Sequence, residues 1–179
     1  MRRHVLSCSF ALATCVVTVA IAAAQQVTVT KEEVAGVRNL NRLETTVACA
    51  GATDVEAMPA IKKMGFAAVI NLRQASEAGV DVAKAQDAAK AAGLTYVHIP
   101  FNASAADPVV VDRFLEAIKQ PGNQPAFIHC ASGNRAAAMW FVKRVRIDGW
   151  DTDRAMKEAE ALGLTNATLK QFVTEYVRK

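Results

Sequence analysis

The stretch Phe127-Ile128-His129-Cys130-Ala131-Ser132-Gly133-Asn134-Arg135 decides how this chain is read. Ala126 to His129 is a short apolar run of the length of a buried strand. It delivers a cysteine, a short loop with a glycine follows, and a helical pattern begins at the arginine. Loop N–H groups and a helix N-terminus converge on one spot in such a junction and favour negative charge there. That field, with a guanidinium nearby, favours the thiolate of Cys130. Gly133 permits the tight turn. Arg135 offers a planar fork to two oxyanion oxygens. The segment is therefore expected to cradle a tetrahedral anion on the backbone of Ala131, Ser132, Gly133 and Asn134 and to attack it with sulfur. A cysteine alone at a strand end reads more simply as a small buried residue. Cysteine, glycine and arginine at one junction read as chemistry.

The chain on either side alternates. Thr45-Thr46-Val47-Ala48-Cys49 is β-prone and stops near Gly51. Asp54 can cap a helix running to about Met64. Ala67 to Leu72 is a second strand, and a helix from about Val80 to Ala92 follows it. Leu94 to Ile99 is a third strand, closed by Pro100. Asp107-Pro108 opens a helix through Lys119, with Asp suited to the N-cap and Pro to the first turn. After the strand at Ala126–His129 come three helices, the last ending near Arg178. Strand and helix in alternation predict an α/β fold: three layers, with a central, mostly parallel sheet of four to five strands and helices on both faces. Sites in such sheets form at the carboxyl ends of strands. Residues 25–43 are more polar and read as an N-terminal lead-in with a short turn or helix, ahead of a catalytic domain at 44–179.

Composition narrows the function. The chain has 179 residues, 52% hydrophobic and 21% charged, which fits one compact domain and excludes wholesale disorder. Met1-Arg2-Arg3-His4 is a basic start, Val5 to Ala24 is uncharged, and Ala22-Ala23-Ala24 ends the run on small residues. That is the pattern of a secretory signal peptide over residues 1–24, and a retained membrane anchor is the rival reading of the same run. Removal of the peptide lowers the count of Lys and Arg from 21 to 19, against 17 acidic residues, so the mature net charge is about +2. No basic signal for nucleic acid remains, and no membrane attachment is expected after cleavage. The expected location is periplasmic or secreted. Cys8 and Cys15 also leave, so Cys49 and Cys130 remain to meet an oxidising compartment. If their strands are neighbours, a reversible disulfide is conceivable, with Cys49 the redox partner of Cys130. A small buried cysteine is the simpler account of Cys49. No His/Cys/Asp cluster has metal-ligand spacing, and no cofactor is implied.

The loop resembles the H-C-x-x-G-x-x-R signature of cysteine-dependent phosphatases, shortened by one residue. In that form it resembles the bacterial dual-specificity-phosphatase-like proteins known as the beta-lactamase-hydrolase-like phosphatase family. The resemblance runs from about Val47 to Leu164. It includes the turn Ala50-Gly51-Ala52-Thr53, the segment Gly65-Phe66 leading to Val69-Ile70-Asn71-Leu72-Arg73, and Gly93 to Pro100. It implies a protein-tyrosine-phosphatase-like fold and a phosphorylated substrate of unknown type. It also implies a phosphoric monoester hydrolase working through a cysteinyl-phosphate. Cys130 is then the nucleophile and Arg135 the phosphoryl ligand. His129 orients the loop from behind.

Three departures bear on the reaction. Cys130 to Arg135 also fits the C-x-x-G-x-R spacing of rhodanese-type sulfurtransferases, which carry a persulfide on the cysteine. Ala136 stands where those phosphatases place a hydroxyl after the arginine. The loop after the third strand, where they carry an acid, reads Phe101-Asn102-Ala103-Ser104-Ala105-Ala106-Asp107. Asp107 is the candidate general acid there, although its helix cap explains it equally well. A module that binds an anion without turnover is the third reading. Arg73 is open between an anion contact and an ion pair. His98 reads as structural, Trp140 as core, and Lys143, Arg144 and Arg146 as a solvated face.

Overall fold

The computed structural model describes residues 28–179. The expected signal peptide at 1–24 lies outside the described residues. Six strands form one mixed sheet in the order β1-β2-β3-β6-β4-β5. They are β1 (Val29–Val34), β2 (Val37–Leu43), β3 (Val47–Ala50), β4 (Ala68–Asn71), β5 (Thr95–His98) and β6 (Ala126–His129). The inner strands β3, β4 and β6 are four residues each and buried throughout, as strands covered on both faces must be. β6 lies between β3 and β4, parallel to both, with His129 level with Ala50 and Asn71. The strand that carries the cysteine is thus the centre of the parallel core.

Among the described residues the α-helices are α1 (Met58–Lys63), α2 (Val82–Ala91), α3 (Pro108–Lys119), α4 (Asn134–Arg146), α5 (Thr152–Ala161) and α6 (Ala167–Arg178). Two apolar layers flank the sheet. One gathers Ile70, Ile128 and Cys130 with Phe114 of α3, Trp140 of α4 and Val173 of α6. The other gathers Val69 and Phe127 with Ile61 of α1 and Ala89 of α2. Side-chain acceptors start the helices: Asp81, Asp107, Asp151 and Asn166 each take a backbone N–H of the first turn. Asp54 does not cap by its side chain. It precedes a single 3-10 turn, Val55–Ala57, and α1 follows from Met58.

The lead-in differs from the expectation of a turn or helix. Residues 29–43 form an antiparallel hairpin that pairs with β3 and brings the sheet to six strands. The sequence Val29-Thr30-Lys31-Glu32-Glu33-Val34 alternates too weakly to announce a strand, because β1 is a sheet edge with charged residues facing water.

Candidate functional site

The loop begins where β6 ends. The Cys130 N–H donates to the Ala50 carbonyl at 3.1 Å, so the strand is held until the cysteine itself. Gly133 then turns at φ +102°, which only glycine adopts without strain, and stands as N-cap of α4. Its N–H donates to Cys130 Sγ at 3.1 Å. The positive end of a thirteen-residue helix therefore faces the sulfur. Cys130 and Gly133 are buried and form the floor. Ser132 is exposed, and Ala131 and Asn134 are half-buried at the rim.

Arg135, the second residue of α4, closes the site from behind. Nη1 donates to the Leu72 carbonyl at 3.0 Å, the Phe101 carbonyl at 2.8 Å and Glu77 Oε1 at 2.7 Å. Nη2 donates to Glu77 Oε2 at 3.0 Å. A guanidinium has five N–H donors. Both hydrogens of Nη1 and one of Nη2 are engaged. The Nε hydrogen and the second Nη2 hydrogen have no oxygen partner and form an adjacent pair beside Cys130, the geometry that grips an oxyanion. Burial works against the charge on Arg135. The Glu77 carboxylate and Cys130 outweigh it and raise its pKa.

Glu77 is the functional residue that sequence reasoning missed. It sits between β4 and α2 in a loop of small residues with no pattern to mark it. Besides Arg135 it accepts from Arg73 Nε at 3.1 Å and from the Gln74 N–H at 2.9 Å. Burial raises its pKa, but the hydrogen bonds from Arg135, Gln74 and Arg73 prevail and hold it at about 2. The available signal was Arg73, four residues earlier at a strand end. Arg73 is thereby an ion-pair partner, with Nη2 also on the Ala78 carbonyl at 2.7 Å. His98 is structural, with Nε2 2.8 Å from the Arg73 carbonyl.

The loop is also held from the side. Asn39 of β2 donates to the Ser132 carbonyl at 3.2 Å. The Ala52 N–H donates to the Ala131 carbonyl at 3.0 Å. Asn134 Oδ1 accepts from the N–H groups of Thr165 at 2.8 Å and Asn166 at 2.7 Å, which ties the loop to the start of α6. Asn39 is a polar residue in an unremarked context that only the fold brings to the loop, and the tie of Asn134 to Thr165 and Asn166 is likewise visible only in the fold.

The other expected residues divide. His129 is buried on the α1/α2 face, its ring 6.3 Å from that of Phe127, and both ring nitrogens lack a partner. Its pKa is lowered to about 3, first by burial, then by the charges of Arg73 and Arg135. Its contact with the site is through the main chain: its carbonyl accepts from the Leu72 N–H at 2.9 Å. Asp107 is exposed and its Oδ1 accepts from the Val109 N–H at 2.9 Å, so it caps α3. The structure brings Cys130, Gly133, Asn134 and Arg135 together and shows no bond from Asp107 to any of them. Cys49 and Cys130 are free, buried thiols in one apolar layer. Cys49 is level with Ile128, two residues back from Cys130 on the neighbouring strand. Ideal parallel geometry then separates their Cα atoms by on the order of 8 Å, beyond the ~4.4–6.8 Å of a disulfide. Burial, then the nearby Cys130, pushes the Cys49 thiol well up.

A strand that ends at a buried cysteine, a short loop turned by glycine and a helix with an arginine in its first turn define a cysteine-phosphatase-like α/β protein. Comparison with family models is in accord: residues 39–146 match the beta-lactamase hydrolase-like protein, phosphatase-like domain. The chain belongs to that family of phosphatase-like enzymes. Among solved structures, it is similar to a DUF442 protein of Shewanella putrefaciens CN-32, with TM-score 0.65, 20% identity, and coverage of 79% of this chain and 90% of that one. It is similar to TpbA of P. aeruginosa, with TM-score 0.63, 18% identity, and coverage of 86% and 91%. It is also similar to the core catalytic domain of the PP-IP phosphatase SIW14 of S. cerevisiae, with TM-score 0.61, 15% identity, and coverage of 76% and 84%. At these identities the likeness is one of fold. Comparison with curated protein sequences finds no match.

Proposed function

We propose that this protein hydrolyses phosphate monoesters through a cysteinyl-phosphate on Cys130. One observation carries the reading: the Gly133 N–H lies 3.1 Å from Cys130 Sγ at the head of α4, and Arg135 keeps one two-donor edge unspent beside it. The thiolate attacks phosphorus and the ester P–O bond breaks. The leaving oxygen takes a proton from Asp107 or water. Water then attacks the phosphocysteine, and phosphate and the thiolate are released. The loop amides and the free edge of Arg135 neutralise charge on the equatorial oxygens in both steps. Ala136 offers no hydroxyl to the departing thiolate in the second step, so the intermediate accumulates. TpbA has been crystallised with phosphotyrosine, in support of an aryl phosphate as the first substrate to try.

The test is hydrolysis of an aryl phosphate by the purified protein and by Cys130→Ser. Expected are a burst of phenol equal to the enzyme concentration, a slower steady state, and loss of both in the variant. Sulfur transfer from thiosulfate to cyanide without ester hydrolysis would overturn the proposal in favour of a persulfide. Phosphate binding with neither turnover would leave an anion-binding module. The acid is tested separately. Asn caps a helix as well as Asp does, so Asp107→Asn removes the proton and keeps α3. A role as acid predicts a loss of about 10²-fold on alkyl phosphates and a smaller one on nitrophenyl phosphate. We further propose that the protein acts after export. The sequence pattern at residues 1–24 supports this, and an N-terminus near Gln25 in protein recovered outside the cytoplasm tests it.

A further inference from the structure

The second strand from the loop carries a cation that the reaction described above does not use. Arg38 is the second residue of β2 and is exposed. Its backbone belongs to the loop's support: the Gly51 N–H donates to the Arg38 carbonyl, and the Arg38 N–H donates to the Ala52 carbonyl at 2.9 Å. On the far side, Gly51 bridges Ser132, and the Ala52 N–H reaches the Ala131 carbonyl. Arg38 is therefore two strand spacings from the anion loop, on the order of 10 Å.

The residue between them has no side chain. A Cβ on Gly51 would lie 3.0 Å from the Ala131 carbonyl oxygen, 3.0 Å from the Arg38 carbonyl oxygen and 3.3 Å from Arg38 Cβ. A side chain there would crowd both carbonyls, so the close approach favours glycine. Its missing side chain leaves the space between Arg38 Cβ and the Ala131 carbonyl unfilled. The other arginines at or near this end of the sheet are committed. Arg73 and Arg135 are both bound to Glu77. Among the described residues, Arg38 has no ion pair or side-chain hydrogen bond.

We infer that Arg38 is a second anion site, on which a substrate held by its phosphoryl group at Cys130 rests another oxyanion. It rests on the phosphatase reading and deepens it, since it names the substrate class: phosphate monoesters that carry a second phosphate or carboxylate about 10 Å from the ester being cleaved. A guanidinium at the rim binds either group through paired N–H donors. Free bisphosphates and acidic phosphopeptides share this chemistry, and the site as built reads the second charge, not its carrier.

The experiment compares hexanediol bisphosphate with hexyl phosphate as competitive inhibitors of aryl phosphate hydrolysis. In the native protein the bisphosphate is expected to bind about tenfold more tightly. In Arg38→Gln the ratio falls to about two, the statistical factor for a ligand with two equivalent ends, and Arg38→Lys retains part of the preference. Because the readout is a ratio within each protein, general damage to the variant cancels. Raising the salt concentration lowers the ratio in the native protein and not in Arg38→Gln. A native ratio of two, or a preference that survives in Arg38→Gln, overturns the inference. If aryl phosphate is not hydrolysed, the phosphatase reading fails by itself. The same two ligands titrated calorimetrically then decide on the subsite alone.

Discussion

At the N-terminal end of α4, Arg135 is bound by Glu77 at 2.7 and 3.0 Å. At the C-terminal end, Arg144 is bound by Glu158 at 2.6 and 3.2 Å. Both side chains are about nine-tenths buried, at 10% and 12% exposure. What separates them is the edge the carboxylate occupies. Glu158 takes the Nε–Nη2 edge of Arg144, Asp148 takes Nη1 at 2.9 Å, and the rings of Trp140 and Trp150 lie within 4.7 and 4.2 Å of its carbon. The Nε–Nη2 edge of Arg144 is thereby spent. Glu77 instead takes the Nη1–Nη2 end of Arg135 and leaves the Nε edge free beside a thiol. One arginine is a brace and the other a brace with a free hand. Charge and burial alone would not tell them apart.

The sharpest way to break this comparison is to make the same change at both ends. A lysine cannot hold a carboxylate and present a second two-donor edge at once. Arg135→Lys is expected to lower kcat on aryl phosphate by about 10³-fold, the scale for loss of a preorganised oxyanion donor. Arg144→Lys is expected to cost about 1–3 kcal/mol of stability and to change kcat less than twofold. Chemical denaturation and steady-state kinetics on both variants check the pair. Comparable activity losses would show that Arg135 is only a brace.

The carboxylates come next. Glu77→Gln keeps the shape of the Arg135 contact and removes its charge. A group that only orients a ligand is worth about 10–100-fold, so kcat is expected to fall by that factor with the loop still folded. Rescue by Glu77→Asp would count against the bidentate geometry, because the shorter side chain cannot span both Nη atoms from the same backbone position. Glu158→Gln is expected to leave kcat alone and lower the melting temperature.

These two ends also show what was legible beforehand. The parallel core and the phosphate loop were read from contiguous residues, since a four-residue apolar run, a cysteine and a glycine are local signals. The hairpin at 29–43 was not, because an edge strand that faces water lacks the alternation that marks a strand. Lys143 and Arg144 were expected on a solvated face; Lys143 is buried instead and the Arg144 side chain is largely covered. Their acid partners, Asp148 and Glu158, lie on a turn and on another helix, and a charge run looks the same in sequence whether or not it is later covered. Glu77 escaped for the same reason. It is 58 residues from Arg135, and only the strand order places it there.

Acid separates the two ends by a different measurement. Unfolded, His129 takes a proton below about 6.5, whereas in the fold it stays neutral down to about 3. Between those values the unfolded chain holds the extra proton, so stability is full above the upper value and falls as pH drops toward the lower one. Glu77 adds a second loss at lower pH. It is ionised in the fold down to about 2, whereas the unfolded carboxyl protonates near 4.5. The melting temperature is therefore expected to decline below pH 6.5 and more steeply below 4.5. His129→Phe should flatten the upper part and Glu77→Gln the lower part, whereas changes at Arg144 should leave the shape of both limbs. A curve that is flat down to pH 4 would contradict the burial of an unpaired imidazole beside two arginines.

The smallest effect concerns how the free edge of Arg135 is kept in place. Asn134 is the first residue of α4, and its Oδ1 holds the backbone of Thr165 and Asn166 at 2.8 and 2.7 Å. Asn134→Ala releases the start of α6 from the loop without touching a donor to the anion. Two neutral hydrogen bonds near the surface are worth about 1–2 kcal/mol together. Activity is expected to drop only a few-fold, because Gly133 and Arg135 keep their own bonds. The diagnostic is the split between constants. Loss of a merely structural tie lowers the melting temperature and leaves phosphate inhibition unchanged. Loosening of the cradle weakens inhibition by inorganic phosphate in proportion to the fall in kcat/KM. The bonds of Asn134 to Thr165 and Asn166 predict the second pattern, since these residues link the rim of the loop to a helix that packs along α4.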